Sequence, residues 1–207
     1  MWKRFFSKQA RRPSGLFGRF VASRIFDKGN DSLNTSMVAL VAARNGDAIL
    51  EIGFGCGTVI REMGDLVGDG VVEGIDFSDA MMHVAKKRNR HHIRKGRVRL
   101  THGDFDTAVY PDGAFNAVCS ANTIYFWSDP SQTCARIHEV LKPGGKVVLA
   151  FVDKGKMETM PLDMEVFRPV SCAAALEMLE SVGFSSVQAH AVGDGGAMFC
   201  VTGLKER

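Results

Sequence analysis

No uninterrupted apolar run in these 207 residues is long enough to span a bilayer as a helix. The N-terminal stretch MWKRFFSKQARRPSG is basic but lacks the apolar centre of a secretory signal. Five cysteines (Cys56, Cys119, Cys134, Cys172 and Cys200) stand singly, with no CxxC pair and no Cys/His spacing suited to a metal. Such dispersed thiols fit a reducing compartment, so a cytoplasmic location is expected and no metal site is. The net charge of +3 is too small to argue by itself for a nucleic-acid partner. Internal repeats and long low-complexity segments are absent, and the length suits one domain with a sizeable core.

The chain does contain short apolar runs alternating with helical patterns. Leu33, Met37, Leu40 and Val41 recur at helical spacing over 33–44, and Asn45–Gly46–Asp47 then signals a turn. Strands are predicted over 48–52, 71–76, 97–102, 115–121 and 146–152, with helices between most of them. Ser78 and Asp129 are placed to cap helices, the latter followed by Pro130 in the first helical turn. Pro143–Gly144–Gly145 should stop the helix that begins at Pro130. After a further helix over 171–182, two strands over 185–192 and 197–204 follow each other directly. Direct succession implies an antiparallel hairpin, whereas alternation with helices implies parallel strands. The expected fold is therefore α/β, a mostly parallel sheet closed by a C-terminal antiparallel pair.

The stretch ILEIGFGCGTV, residues 49–59, carries the strongest signal. An apolar strand ends at Glu51, and Gly53, Gly55 and Gly57 then alternate into a helix start. Glycines let the chain turn sharply and let a ligand approach bare backbone. A dinucleotide fingerprint would need a third glycine at position 58 or 60, where Thr58 and Ile60 stand. The glycine–lysine–serine/threonine of a phosphate-binding P-loop is absent too. What remains suits a nucleoside without a pyrophosphate.

Polar residues converge on the carboxyl ends of the predicted strands, where open parallel sheets bind ligands. Asp76 ends the second strand and suits two ribose hydroxyls. Gly103, Asp104 and Phe105 end the third, with Asp104 able to accept from an exocyclic amine, and Phe77 and Phe105 able to flank a flat ring. Asn122 follows the fourth, and Tyr125, Phe126 and Trp127 come next as candidates for an acceptor pocket or for a cation over an aromatic face. An aspartate after a strand also serves as a helix cap, and such aromatics also serve as core. For a general base only His83, His102 and His138 are available by residue type, and none is singled out.

At GDAILEIGFGCG, VVEGIDFSDAMMHVAKKR, the GDF of 103–105, YPDGAFNAVCSANTIYFWSDP and HEVLKPGGKVVLAF the chain resembles the class I S-adenosylmethionine-dependent methyltransferases. Within them it is similar to small-molecule enzymes of the ubiquinone/menaquinone type. The resemblance runs over most of 46–204 and implies a Rossmann-like sheet of seven strands with the last inserted antiparallel. It implies that Glu51, Gly53, Gly55 and Gly57 form the cofactor loop, Asp76 holds the ribose, Asp104 and Phe105 lie at the adenine, and Asn122 lies near the methionine portion. Two positions depart from the family. Asn116 stands where aspartate is usual, and SANTIYFW replaces the Asn/Asp-Pro-Pro-aromatic motif of enzymes that methylate a base or amide nitrogen.

The expected organisation is a basic tail over 1–14, a helical lid over 15–45 and the S-adenosylmethionine-binding methyltransferase domain over 46–207. The expected activity is in-line methyl transfer to a small-molecule acceptor, with RNA or protein methylation and a non-catalytic binding module as alternatives. Lys86, Lys87, Arg88, Arg90, Arg94, Lys95, Arg97 and Arg99 cluster without an acidic residue from 80 to 103. A solvated face explains such a cluster without nucleic acid, since no aromatics interleave it. Trp2, Phe5 and Phe6 among basic residues allow weak contact with an anionic membrane, or simply a solvated tail. The oligomeric state is left open.

Overall fold

The computed structural model describes residues 2–15, 31–193 and 195–207. Its framework is one sheet of seven strands: β1 (Ala48–Ile52), β2 (Val71–Asp76), β3 (Val98–His102), β4 (Phe115–Ala121), β5 (Leu141–Val152), β6 (Phe184–Val192) and β7 (Met198–Lys205). Their order across the sheet is β3-β2-β1-β4-β5-β7-β6. The first five pair in parallel, and β7 runs antiparallel to both β5 and β6. The expected mostly parallel sheet with a closing hairpin is what the chain forms.

Adjacent strand residues point to opposite faces, so a strand covered on both sides must be apolar throughout. That is why β1 and β4 read as nearly unbroken apolar runs. Leu50, Val118 and Leu149 face one layer, where Cys134 and Ile137 of α6 (Pro130–Val140) and Ala175 and Leu179 of α8 (Cys172–Ser181) pack. Ile49, Cys119 and Val148 face the other, packed by Leu33 and Met37 of α2 (Asp31–Val41), Ile60 and Met63 of α3 (Thr58–Leu66), and Ala85 of α4 (Asp79–Arg88). The caps form as expected. The Ser78 hydroxyl accepts from the Met81 amide at the start of α4, and the Asp129 carboxylate accepts from the Gln132 amide at the start of α6.

Three features differ from expectation. Within the basic stretch 1–14, Trp2–Arg11 form a helix, α1, that was not expected; its Ser7 is buried and Ser7 Oγ accepts from the Asp163 amide at 2.9 Å. Short helices α5 (Arg90–Arg94) and α7 (Lys154–Met157) carry too few residues for a periodic signal. The fifth strand begins at Leu141 rather than Lys146. Leu141 pairs with Phe115, the Pro143–Gly145 turn bulges out, and pairing resumes at Lys146 with Ala117. Of the expected lid over 15–45, residues 16–30 lie outside the described residues, and α2 packs on the sheet with Leu33 and Met37 fully buried.

Asn116 sits beside the bulge. Its Oδ1 accepts from the Ala48 amide at 2.9 Å and from Lys142 Nζ at 2.8 Å, joining the start of β1 to β4 and to the turn. An amide oxygen does this as an aspartate would, which accounts for the departure from the family residue. Asn116→Ala strands the Ala48 amide and is expected to lower unfolding free energy by about 1–3 kcal/mol in urea titration. Asn116→Asp keeps both bonds, makes the lysine bond charge-assisted, and is expected to cost nothing in the same titration.

Candidate functional site

The chain enters the sheet at its middle, runs out through β2 to β3, then returns to lay β4 on the other side of β1. The carboxyl ends of β1 and β4 therefore part at a point where the winding reverses, and a crevice opens there. It is a cavity of about 520 Å³, within the usual range for a small-molecule site. Glu51, Gly53, Gly55, Asp76, Phe77, Gly103, Asp104, Phe105, Asn122, Tyr125, Phe126 and Trp127 all line it. Gly57 does not. It stands behind the loop as the N-cap of α3, its carbonyl accepting from Asn89 Nδ2 at 3.0 Å.

The glycine loop is built from its ends inward. Gly53 donates its amide to the Ile75 carbonyl at 2.7 Å, extending the β1–β2 ladder by one residue. Its φ of +73° suits glycine, and a Cβ there would collide with the Thr123 side chain. Gly55 also has positive φ, +51°, yet a Cβ there would meet nothing within 4 Å. The outer glycine is closed by protein, and the middle one faces open space. Asp76 fixes this arrangement: its Oδ2 accepts from the Gly55 amide at 2.9 Å and its Oδ1 from the Ser78 amide at 2.8 Å.

Two carboxyls govern the electrostatics, Glu51 buried and Asp76 half-buried. Glu51 is 3% exposed and its Oε2 has no hydrogen-bond partner among the described residues. Burial, with the nearby Asp76 charge second, pushes its pKa from 4.5 up to about 8. Burial raises Asp76 as well, partly offset by the Ser78 and Gly55 amides and by His102. Asp104 and Asp106 add to the acidic wall. Asp104 Oδ1 accepts from the Asp106 amide at 3.1 Å, and Asp106 Oδ1 accepts from the Thr133 hydroxyl at 2.8 Å. Arg11 is the one basic side chain among the described residues lining the cavity. The wall is thus rich in carboxyls, but burial disfavours the charged forms of Glu51 and Asp76, and the Ile60 amide in the first turn of α3 already bonds Glu51.

The remaining wall is aromatic. Asn122 holds a left-handed backbone at φ +56°, and its Oδ1 accepts from the Tyr125 hydroxyl at 2.9 Å. That hydroxyl also accepts from the Val152 amide, and burial raises its pKa far above the usual phenol range, so Tyr125 positions Asn122 and is not a proton acceptor. Phe126 lies 4.8 Å, centroid to centroid, from Phe167. The Phe105 ring is held under the Arg136 guanidinium at 5.5 Å and is 4% exposed, so its core role and its place in the wall coexist. Phe77 lies under Arg12 at 5.9 Å.

None of His83, His102 and His138 lines this cavity. His102 Nε2 lies 3.2 Å from Asp79 and 3.1 Å from the Phe77 carbonyl, and His138 stacks edge-on against Phe184. The basic cluster lies on α4, α5 and β3, with Arg99 paired to Glu73 at 3.2 Å and Arg88 bonded to the Thr58 hydroxyl. Several lining residues were not expected: Met157, Met160, Leu162 and Phe167 after β5, Thr123, and Ala10 and Arg11 of α1. The segment after β5 follows a strand end as the other site segments do, and that rule alone would have nominated it.

Comparison with known proteins agrees with this geometry. The family described as a methyltransferase domain matches residues 49–145. An uncharacterized methyltransferase of Bacillus subtilis, YdaC, is 33% identical over 129 residues, 62% of this chain and 69% of that protein. The ubiquinone/menaquinone biosynthesis C-methyltransferase UbiE of Teredinibacter turnerae is 27% identical over 150 residues, 68% of this chain and 59% of that one. The chain spans about half the length of several other curated relatives, 47% and 45% for two of them. The crystal structure of a SAM-dependent methyltransferase from Aquifex aeolicus has the same fold, with a TM-score of 0.67, 20% identity and 97% of each chain covered.

Two outcomes test the site's construction. Gly53→Ala combines left-handed strain of about 1–2 kcal/mol with overpacking of about 1–3 kcal/mol, whereas Gly55→Ala carries the strain alone, so urea titration should separate them. Glu51 binds its proton more tightly folded than unfolded. Its stability contribution is therefore full below pH 4.5 and is lost as pH rises through about 8. Glu51→Gln is expected to flatten the fall in unfolding free energy across that window, as measured by denaturation at stepped pH.

Proposed function

This chain belongs to the class I S-adenosylmethionine-dependent methyltransferases, and from that membership we propose that it methylates a small molecule held against the aromatic side chains of the cavity. One observation carries the proposal: a single cavity is lined both by the glycines and carboxyls at the ends of β1, β2 and β3 and by aromatic and thioether side chains.

The residues fit the cofactor. Open space before Gly55 admits a ligand against bare backbone, and the polar side chains of Glu51, Asp76 and Asp104 line the same cavity. Asp76 would accept from the ribose hydroxyls while keeping its two amide bonds, since a carboxylate has about four acceptor sites. Gly103, Asp104 and Phe105 would hold the adenine, and Glu51 and Asn122 the methionine portion. When bound, S-adenosylmethionine supplies an electrophilic methyl group on a sulfonium.

The chain's own contribution is alignment. Tyr125, Phe126, Trp127 and Phe167 would hold the acceptor and exclude water, so that its nucleophilic atom lies in line with the methyl–sulfur bond. S-adenosylmethionine held by Glu51, Asp76, Asp104 and Asn122 would supply the methyl group, its sulfur keeping the electron pair of the broken bond as the acceptor's nucleophilic atom formed the new one. Positioning of this kind is worth about 7–11 kcal/mol of barrier. The similarity to UbiE and the aromatic wall support a flat, apolar acceptor of the ubiquinone/menaquinone type.

Calorimetry with S-adenosylmethionine tests the assignment. The wild type is expected to bind, Asp76→Ala to weaken binding about 100-fold (about 2.7 kcal/mol), and Gly55→Ala by at least about tenfold. A wild type that gives no heat, or an Asp76→Ala protein that binds unchanged, would overturn it. Labelled methyl transfer into metabolite extracts, set against RNA and protein pools, then identifies the acceptor class.

A further inference from the structure

We propose that α1 docks on an anionic lipid bilayer and sets the mouth of the cavity at the membrane surface. Residues 2–14 carry Lys3, Arg4, Lys8, Arg11 and Arg12 and no acidic residue. Interleaved with these, Phe5 is 45% and Phe6 is 48% exposed, their rings edge to face at 5.8 Å. Large aromatic side chains left half in water on a basic helix match the two parts of a bilayer interface. Phosphate headgroups attract the cations, and the acyl boundary takes the rings. An acidic protein partner would satisfy the charge but would call for a shaped recess around the rings.

The placement of α1 gives this surface a role. Ser7 is bonded to Asp163, and Arg4 pairs with Glu165 at 3.3 Å and reaches Asp163 at 4.0 Å, so α1 is moored to the segment after β5. That segment adds Met160 and Met164, 39% and 40% exposed. Among the described residues seven large apolar side chains are markedly exposed, and four of them lie on these two joined segments. Ala10 and Arg11 of α1 and Met160 of its partner also line the cavity. The exposed apolar side chains and part of the cavity lining are thus carried by the same two segments, with Lys3 and Lys8 on α1 beside Phe5 and Phe6 in sequence.

Flotation of the full chain with vesicles decides it. The wild type is expected to float with phosphatidylcholine vesicles containing about 30% phosphatidylglycerol, to stay unbound with pure phosphatidylcholine, and to release in about 0.5 M salt. The double variant Phe5→Ser/Phe6→Ser and the double variant Lys3→Glu/Lys8→Glu should each lower the bound fraction at least about tenfold. Calorimetry with S-adenosylmethionine on both variants checks that the fold survives, since none of the four residues lines the cavity. Failure of the wild type to float with anionic vesicles, equal flotation with neutral ones, or wild-type flotation of the phenylalanine variant would overturn the proposal. A wild type that floats but does not bind S-adenosylmethionine would overturn the methyltransferase reading and leave this one standing.

Discussion

The carboxylate of Asp76 holds the site in shape. One oxygen takes the Gly55 amide and the other the Ser78 amide, so a single side chain at the end of β2 fixes both the ligand loop of β1 and the first turn of α4. Ser78 passes the constraint on: its hydroxyl caps α4 through Met81 and donates to the Pro13 carbonyl at 2.6 Å. The connection from loop to strand end to helix cap to the end of α1 is continuous. A half-buried carboxylate is a costly anchor unless its acceptor sites are filled, and here two backbone amides begin to fill them. The remaining capacity is what a diol ligand would use.

Glu51 plays the complementary part. It shares the crevice with Asp76; the Ile60 amide bonds it, yet Oε2 has no partner among the described residues, and burial favours its protonated form. The two acids differ in how they are held: Asp76 is tied to two backbone amides, while Glu51 keeps one oxygen without a partner among the described residues.

Much of this was legible in the residues. The strands were readable because parallel strands covered on both faces must be apolar throughout, and the hairpin because β6 and β7 follow each other without a helix. Cavity-lining residues were readable where a strand ended in a polar residue, as at Asp76, Asp104 and Asn122. Other placements were not legible, for physical reasons. Gly57 looks like its neighbours in sequence, yet in the fold its carbonyl bonds Asn89 and it is not among the residues lining the cavity. Met157 to Phe167 form no periodic pattern, because a short helix and turns bring them to the wall. The helical character of α1 was hidden because the contacts it makes through Ser7 and Arg4 are polar and leave no periodic apolar signal in the sequence.

The position of β7 bears on how the molecule is made. It lies between β5 and β6 although β6 precedes it in the chain. During synthesis β6 can find no partner in the sheet until β7 has left the ribosome, and the flank of β5 stays unpaired for the same interval. That flank carries Val148, Ala150 and Phe151, all buried in the finished fold. Roughly the first five strands can assemble while this edge is open, and an open apolar edge is where nascent chains stick to one another. The antiparallel insertion that completes the sheet thus also closes its apolar edge.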